Sequence, residues 1–508
     1  MRKRALAGVL AAVAAVGLVV TGCTGSGGNT SSTGGTATEA LKIGNFLDVT
    51  NWDPSLADIG FDGPYLSAVY DPLLAMDKDG NPVPALATEF TVSDDGLTID
   101  MTLRTDATFS DGEPFDADAA VKSLEYLQDG VTSSEAYTRV ESFEKTGDDS
   151  IAIHLTQRDD TILYFMALGR SYMMSPKAID AGTLSTTPVG SGPYTMDSTS
   201  VAGSRYLFTK VEDHWDSAAF PFETVEILPI GDGTAMQNAM DSGQVNVIYA
   251  DAANIATATE KGWNVAQQIA TAVGLQYTDR MGETFEPLGD QRVREALQRA
   301  FDGAAILDAM GSGAGVDTNQ VFAADHDGYL SSLNDMYAYD VAEAKQLLAD
   351  AGYADGFSIN MPMAPPFQPW QAIAEQSLKD IGVTVTWDEM QMGDYMQKSS
   401  TYPISITLIA LDSNPVATVE RQAALPQWYN PNPQIDQVPE LQELVDQMYA
   451  TQGDEQLEVI EQLNTKLTEL AWFNVWYQAD NVFFSTADIT VQPLVGTMFP
   501  TLRQITTS

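Results

Sequence analysis

Apolar residues alternate with polar ones in Thr98–Leu103, where Ile99, Met101 and Leu103 share a face, and in Ser150–Leu155, through Ile151, Ile153 and Leu155. Period two predicts strands in a sheet with one wet face. Over 117–127 the spacing becomes helical: Ala120, Val121, Leu124 and Leu127 form a stripe behind acidic Asp116 and Asp118. A second helix is predicted over 340–351. Asp340 caps it, Glu343 occupies the reciprocal capping-box position, Ala344, Leu347, Leu348 and Ala351 form the apolar face, and Gly352 stops it. A strand follows at 357–361. The same succession recurs as helix 235–242, Gly243 and strand 245–249, and as helix 370–378, Gly382 and strand 383–387. A further helix at 290–301 places Val293, Leu297 and Phe301 inward with Arg292 and Arg299 toward water. Strands separated by helices predict α/β lobes, whose ligands sit at the carboxyl ends of strands and in clefts between lobes.

The beginning of the chain follows another pattern. Arg2, Lys3 and Arg4 precede an apolar run over 5–20 that ends in Val20-Thr21-Gly22-Cys23. A short apolar core behind a basic start, closed by small residues, predicts an export signal over 1–22. Cys23 is the only cysteine, so no intramolecular disulfide is possible. Its expected role is lipidation after cleavage, which anchors the chain to the extracytoplasmic face of the cell membrane. Residues 23–40 are rich in Gly, Ser and Thr and read as a flexible tether. Without the first 22 residues, 22 basic side chains face 70 acidic ones, a formal charge of −48. Nonspecific nucleic-acid binding draws on cationic side chains, so no nucleic-acid partner is expected. At this length, two or three lobes with separate cores are expected.

Catalytic motifs are sparse. His154, His214 and His326 lack metal-ligand spacing, and each reads as a surface or secondary polar residue. Gly190-Ser191-Gly192 and Gly311-Ser312-Gly313-Ala314-Gly315 both break the serine-hydrolase elbow. There is no Walker loop, and no dinucleotide fingerprint opens a helix. A glycosidase-type carboxylate pair among 70 acids is recognisable only from spatial separation, which leaves a carboxylate-dependent lipoprotein hydrolase as an open reading.

Several strings in order are more specific: Asn51-Trp52-Asp53-Pro54, Val69-Tyr70-Asp71-Pro72-Leu73-Leu74, Pro84-Ala85-Leu86-Ala87-Thr88-Glu89-Phe90, Phe109-Ser110-Asp111-Gly112-Glu113-Pro114, Pro188-Val189-Gly190-Ser191-Gly192-Pro193-Tyr194 and Arg292-Val293-Arg294-Glu295-Ala296-Leu297. Together they resemble the family 5 extracellular solute-binding proteins of ABC importers, the group of dipeptide- and oligopeptide-binding lipoproteins. The resemblance spans nearly all of the chain after the tether. Taken by themselves, the 109–114 string reads as a scaffold turn leading into a helix, and the 188–194 string as either a hinge or a plain turn.

The resemblance implies an α/β, periplasmic-binding-protein-like fold with two main lobes around a hinged ligand cleft and an extra inserted domain. Domain I is expected from 41–74, 190–272 and 484–508, domain II from 75–189 and domain III from 273–483. It also implies a monomeric, non-enzymatic protein without cofactor or metal, which captures peptides by lobe closure and passes them to a permease served by ATPase subunits. The alternative cargo is a non-peptide solute such as an oligosaccharide, polyamine or metal chelate.

In peptide-binding members an aspartate a few residues after an aromatic holds the peptide α-ammonium. Asp412, in Leu408-Ile409-Ala410-Leu411-Asp412-Ser413-Asn414-Pro415, matches that aspartate, although Ile409 stands where the aromatic is usual. Read without the family, Asp412 forms an Asx-turn before Asn414-Pro415, and both readings stand. Phe61 and Asp62, in an expected loop over 58–62, are candidates to stack on ligand and accept a hydrogen bond. Arg280 is a candidate for a ligand carboxylate. Trp370, Trp387, Tyr402 and Trp428 are candidate groove aromatics, with core packing as the competing role.

Overall fold

The computed structural model describes residues 39–427 and 430–508. The signal segment, Cys23, most of the tether and Trp428 lie outside the described residues. Among the described residues no helix is long and apolar enough to cross a membrane.

A nine-stranded sheet forms the frame. Its order is Ile404–Ala410, Asn264–Tyr277, Asn474–Ser485, Val247–Tyr249, Ala40–Asn45, Thr224–Pro229, Tyr206–Lys210 and Tyr194–Met196, with Gly315–Val316 paired beside Asn474–Ser485. Ala40–Asn45 lies parallel to both Thr224–Pro229 and Val247–Tyr249, so the carboxyl ends of these three strands point the same way. The long strands Asn264–Tyr277 and Asn474–Ser485 pair antiparallel along their length. Their register breaks between Ile269 and Thr271 and again between Val273 and Gly274. Such bulges bend a strand pair and redirect its side chains.

Both predicted alternating strands form as expected, in a four-stranded antiparallel sheet of residues 87–155. The face of Ser150–Leu155 expected to be wet is partly covered, since Ala152 is buried with its neighbours. The helix expected over 117–127 is Ala117–Gln128, and the Asp116 carboxylate accepts from the Ala119 N–H. Val341–Asp350 is capped by Asp340, which accepts from the Ala342 and Glu343 N–H groups. Helix Gly233–Asp241 feeds Val247–Tyr249, and helix Gln368–Asp380 feeds Val383–Glu389, which pairs parallel with Phe357–Met363.

Side chains from residues 41–247, joined by C-terminal residues such as Ile505, form one continuous core, from Leu41 and Trp52 through Ile99, Ile151 and Leu124 to Val225 and Ile505, and this region is called lobe I. Two further cores draw mainly on residues 272–477, called lobe III, one around Trp476 and Met361, the other around Trp472 and Leu463. The four-stranded sheet of residues 87–155 is therefore welded into lobe I.

Two family-like strings meet in that weld. A Cβ on Gly190 would fall 2.2 Å from the Val69 carbonyl oxygen, and one on Gly192 2.4 Å from the Val69 carbonyl carbon. Only a residue without a side chain permits that approach. Asp71 beside it accepts from Trp215 Nε1 at 2.9 Å and Ser191 Oγ at 3.2 Å, with His214 Nε2 at 3.1 Å. His214 is thus buried rather than a surface residue.

Two sequence expectations need correction. Residues 59–62 are not a loop but the first turn of helix Ile59–Val69, because the Asp58 carboxylate caps it by accepting from the Gly60 N–H. Arg299 does not simply face water: it is half-buried and donates to the Ala338 and Met336 carbonyls.

Candidate ligand site between the lobes

The carboxyl ends of the three parallel lobe I strands open onto a cavity of about 380 Å³. Phe46 follows Ala40–Asn45, Tyr249 ends Val247–Tyr249 with Asp251 just beyond it, and Met498 comes from the C-terminal segment. Lobe III supplies Trp370, Leu408 and Tyr477 from the opposite side. The long strands form the back wall, where Ala479, Asp480, Asn481 and Val482 all reach the cavity. Opposite Ala479 and Asp480 the partner strand carries an extra residue between Ile269 and Thr271.

Several of these groups are held in place by the protein itself. Trp370 Nε1 donates to the Tyr477 hydroxyl at 2.9 Å, and Asn481 Nδ2 donates to the Met498 carbonyl at 3.0 Å. Asp480 accepts from Gln267 Nε2 at 3.0 Å through one carboxylate oxygen. Burial pushes the Asp480 carboxyl upward, opposed by that hydrogen bond. Phe46 is 42% exposed, a large apolar surface at the mouth of the cavity.

The residues singled out from sequence are dispersed, and none of Asp412, Phe61, Asp62, Arg280, Trp387 or Tyr402 lines this cavity. Asp62 is fully buried at the start of its helix, where it accepts from the Thr50 N–H at 2.9 Å, the Thr50 hydroxyl and the Asp58 N–H at 3.1 Å. Burial raises its pKa to about 6. Phe61 packs against Phe499, with ring centroids 6.2 Å apart. Arg280 lies inside lobe III and donates to the carbonyls of Trp472 and Asn432. Burial, reinforced by Arg294, pulls its guanidinium pKa down. Tyr402 donates to Asp388 at 2.7 Å, and Trp387 Nε1 lies 3.4 Å from a Glu375 oxygen. Of the named aromatics among the described residues, Trp370 is the one at the cavity.

Asp412 belongs to a seam between lobe III and residues 139–164. Arg421 Nη1 contacts both its oxygens, at 2.8 and 3.1 Å, and the Tyr164 hydroxyl donates to one of them at 3.2 Å. Burial pushes the Asp412 carboxyl up against the pull of Arg421. Along the same seam Arg139 contacts Glu420 at 2.6 Å and Asp159 at 3.3 Å, and Thr161 donates to Glu420 at 3.2 Å. A second, more polar cavity of about 550 Å³ adjoins the seam beside Ser413, Lys78 and Asp325.

Sequence reading missed Tyr249, Asp251, Tyr477 and Asp480. The available signal for Asp480 was a carboxylate inside the apolar run Val475-Trp476-Tyr477-Gln478-Ala479-Asp480-Asn481-Val482-Phe483-Phe484. A charge at such a place needs a partner, a solvent path or a ligand.

Residues 81–427 match the family model for bacterial extracellular solute-binding proteins, family 5 middle region. The glutathione-binding protein GsiB of Escherichia coli K12 is 25% identical over 355 residues, covering 68% of each chain. Among solved structures, NikA from Brucella suis, in complex with Fe(III)-EDTA, superposes with a TM-score of 0.78 at 19% identity, over 92% of this chain and all of the other. The dipeptide-binding protein of Pseudoalteromonas sp. SM9913, in complex with Met-Leu, gives 0.75 at 18% identity over the same shares.

Proposed function

The chain belongs to the family 5 bacterial extracellular solute-binding proteins, and from that premise we propose that it is a lipid-anchored component that captures peptides for an ABC importer. As the solute-binding protein of such a system it works with a membrane permease and its ATPase subunits. The observation that supports capture between lobes is the cavity at the carboxyl ends of the lobe I strands, faced by Trp370 and Tyr477 of lobe III. The bulged strand pair behind it is the element about which the lobes would hinge. Anchoring rests on Cys23 and its preceding apolar run. The division into domain I (41–74, 190–272, 484–508), domain II (75–189) and domain III (273–483) is part of the same reading.

Peptide as cargo is supported by the relatives. GsiB is named for glutathione, and the Pseudoalteromonas protein holds Met-Leu. Asp412 is the residue the family resemblance offers to a peptide ammonium, and to serve it would have to release Arg421. Thermal unfolding against di- to hexapeptides, oligosaccharides, polyamines and metal chelates tests the cargo. A ligand present at 100 times its dissociation constant should add about 2.7 kcal/mol of stability. A shift with peptides supports the reading, and a shift confined to another class removes the peptide while keeping the transport role.

A further inference from the structure

The charge of the cavity carries the reading further, and the inference rests on the cavity being the solute site. Its lining includes two carboxylates, Asp251 and Asp480, and no lysine, arginine or histidine. Neither acid belongs to an ion pair among the described residues. Asp480 is half-buried with one oxygen on the Gln267 amide, and Asp251, exposed to solvent, accepts from the Ala253 N–H at 2.9 Å. Elsewhere in this molecule buried acids that meet across a seam are matched by arginines. For the half-buried Asp480 the cavity lining offers no such cation.

We propose that the solute supplies it: the site selects a positively charged solute, whose ammonium or guanidinium sits against Asp480, with Asp251 adding to the negative field. A carboxylate with an open oxygen in a partly desolvated site gains a charge-assisted hydrogen bond from such a group. Phe46, Tyr249, Trp370 and Tyr477 add π faces, which also attract cations. One feature of the wall works the other way, since helix Gly233–Asp241 begins at the cavity and a helix N-terminus favours anions. The Asp232 carboxylate already caps that end, accepting from the Ala235 N–H at 2.7 Å. The anionic anchor is thus Asp480, distinct from Asp412, which holds an arginine. Met236, Met310 and Met498 give the rest of the wall an adaptable apolar surface, suited to a cation on a variable body.

Titration calorimetry with Ala-Lys, Ala-Leu, N-acetyl-Ala-Leu and 1,5-diaminopentane, on the purified protein and its Asp480→Asn, Asp251→Asn and Asp412→Asn variants, tests this. The expected result is binding of the cationic probes, weakened about 10- to 100-fold by Asp480→Asn and less by Asp251→Asn. Asp412→Asn should lower the melting temperature with a smaller effect on affinity. Asp480→Asn is nearly isosteric, and its melting curve verifies folding independently of binding. Diamine binding that depends on Asp480, without peptide binding, supports the inference and removes the peptide reading. Binding of N-acetyl-Ala-Leu as tight as that of Ala-Lys, unchanged by Asp480→Asn, keeps the peptide and overturns the inference. Failure of every cationic probe to bind also overturns it.

Discussion

The seam between lobe III and residues 139–164 and the cavity between lobes I and III treat their carboxylates in opposite ways. At the seam, Glu420 meets Arg139 and Asp412 meets Arg421, with Thr161 and Tyr164 supplying further donors. At the cavity, Asp480 and Asp251 have amide donors and no arginine. A buried ion pair is weak evidence of net stabilisation, yet breaking one strands the surviving charge. The seam is therefore specified by matched charges, whereas the cavity keeps unmatched charge in reserve. Asp62 shows a third treatment: a fully buried carboxylate satisfied by two N–H groups and a hydroxyl.

The largest effect should come from unmatching the seam. Arg139→Ala leaves Glu420 buried and without its guanidinium, and should cost about 3–5 kcal/mol in urea denaturation. If the loss were only a few tenths of a kcal/mol, the seam would not differ in kind from the surface pairs.

Asp62 gives the next effect, and its sign can be worked out. Its folded-state pKa is raised to about 6, so the native state binds the extra proton more tightly than the unfolded chain does. Its contribution to stability is therefore lost as pH rises from about 4 through about 6, and regained on acidification. Two pKa units correspond to roughly 2–3 kcal/mol. The pH dependence of Asp62→Asn should lack this component, read as the difference between the two melting profiles from pH 4 to 8.

Tyr164→Phe should have the smallest effect of the three. It removes a donor to Asp412 and the acceptor of the Ser413 N–H, and should cost about 1–2 kcal/mol. Because Arg421 still meets Asp412, the cost should stay well below that of Arg139→Ala.

Local signals determined the elements that stand on their own residues. Alternation placed Thr98–Leu103 and Ser150–Leu155, and the Asp116 and Asp340 caps placed their helices, because period and capping are settled within a few residues of chain. The ordered strings carried the family and with it the fold, as the match over 81–427 bears out. The glycines at 190 and 192 were visible as a turn, but their reason, the backbone of Val69 against them, was not.

What tertiary structure alone decided is which charges meet. Arg139 and Glu420 are 281 residues apart in sequence, and Tyr164 and Asp412 are 248 apart. Nothing in the composition of either neighbourhood distinguishes Asp412, matched by an arginine, from Asp480, which meets only a glutamine amide among the described residues. Asp62 and Arg280 carry chemistry that fits a ligand, yet the fold uses both to satisfy its own backbone groups. A side chain's charge is written in the sequence, whereas the distance to its partner and the water between them exist only once the lobes are assembled.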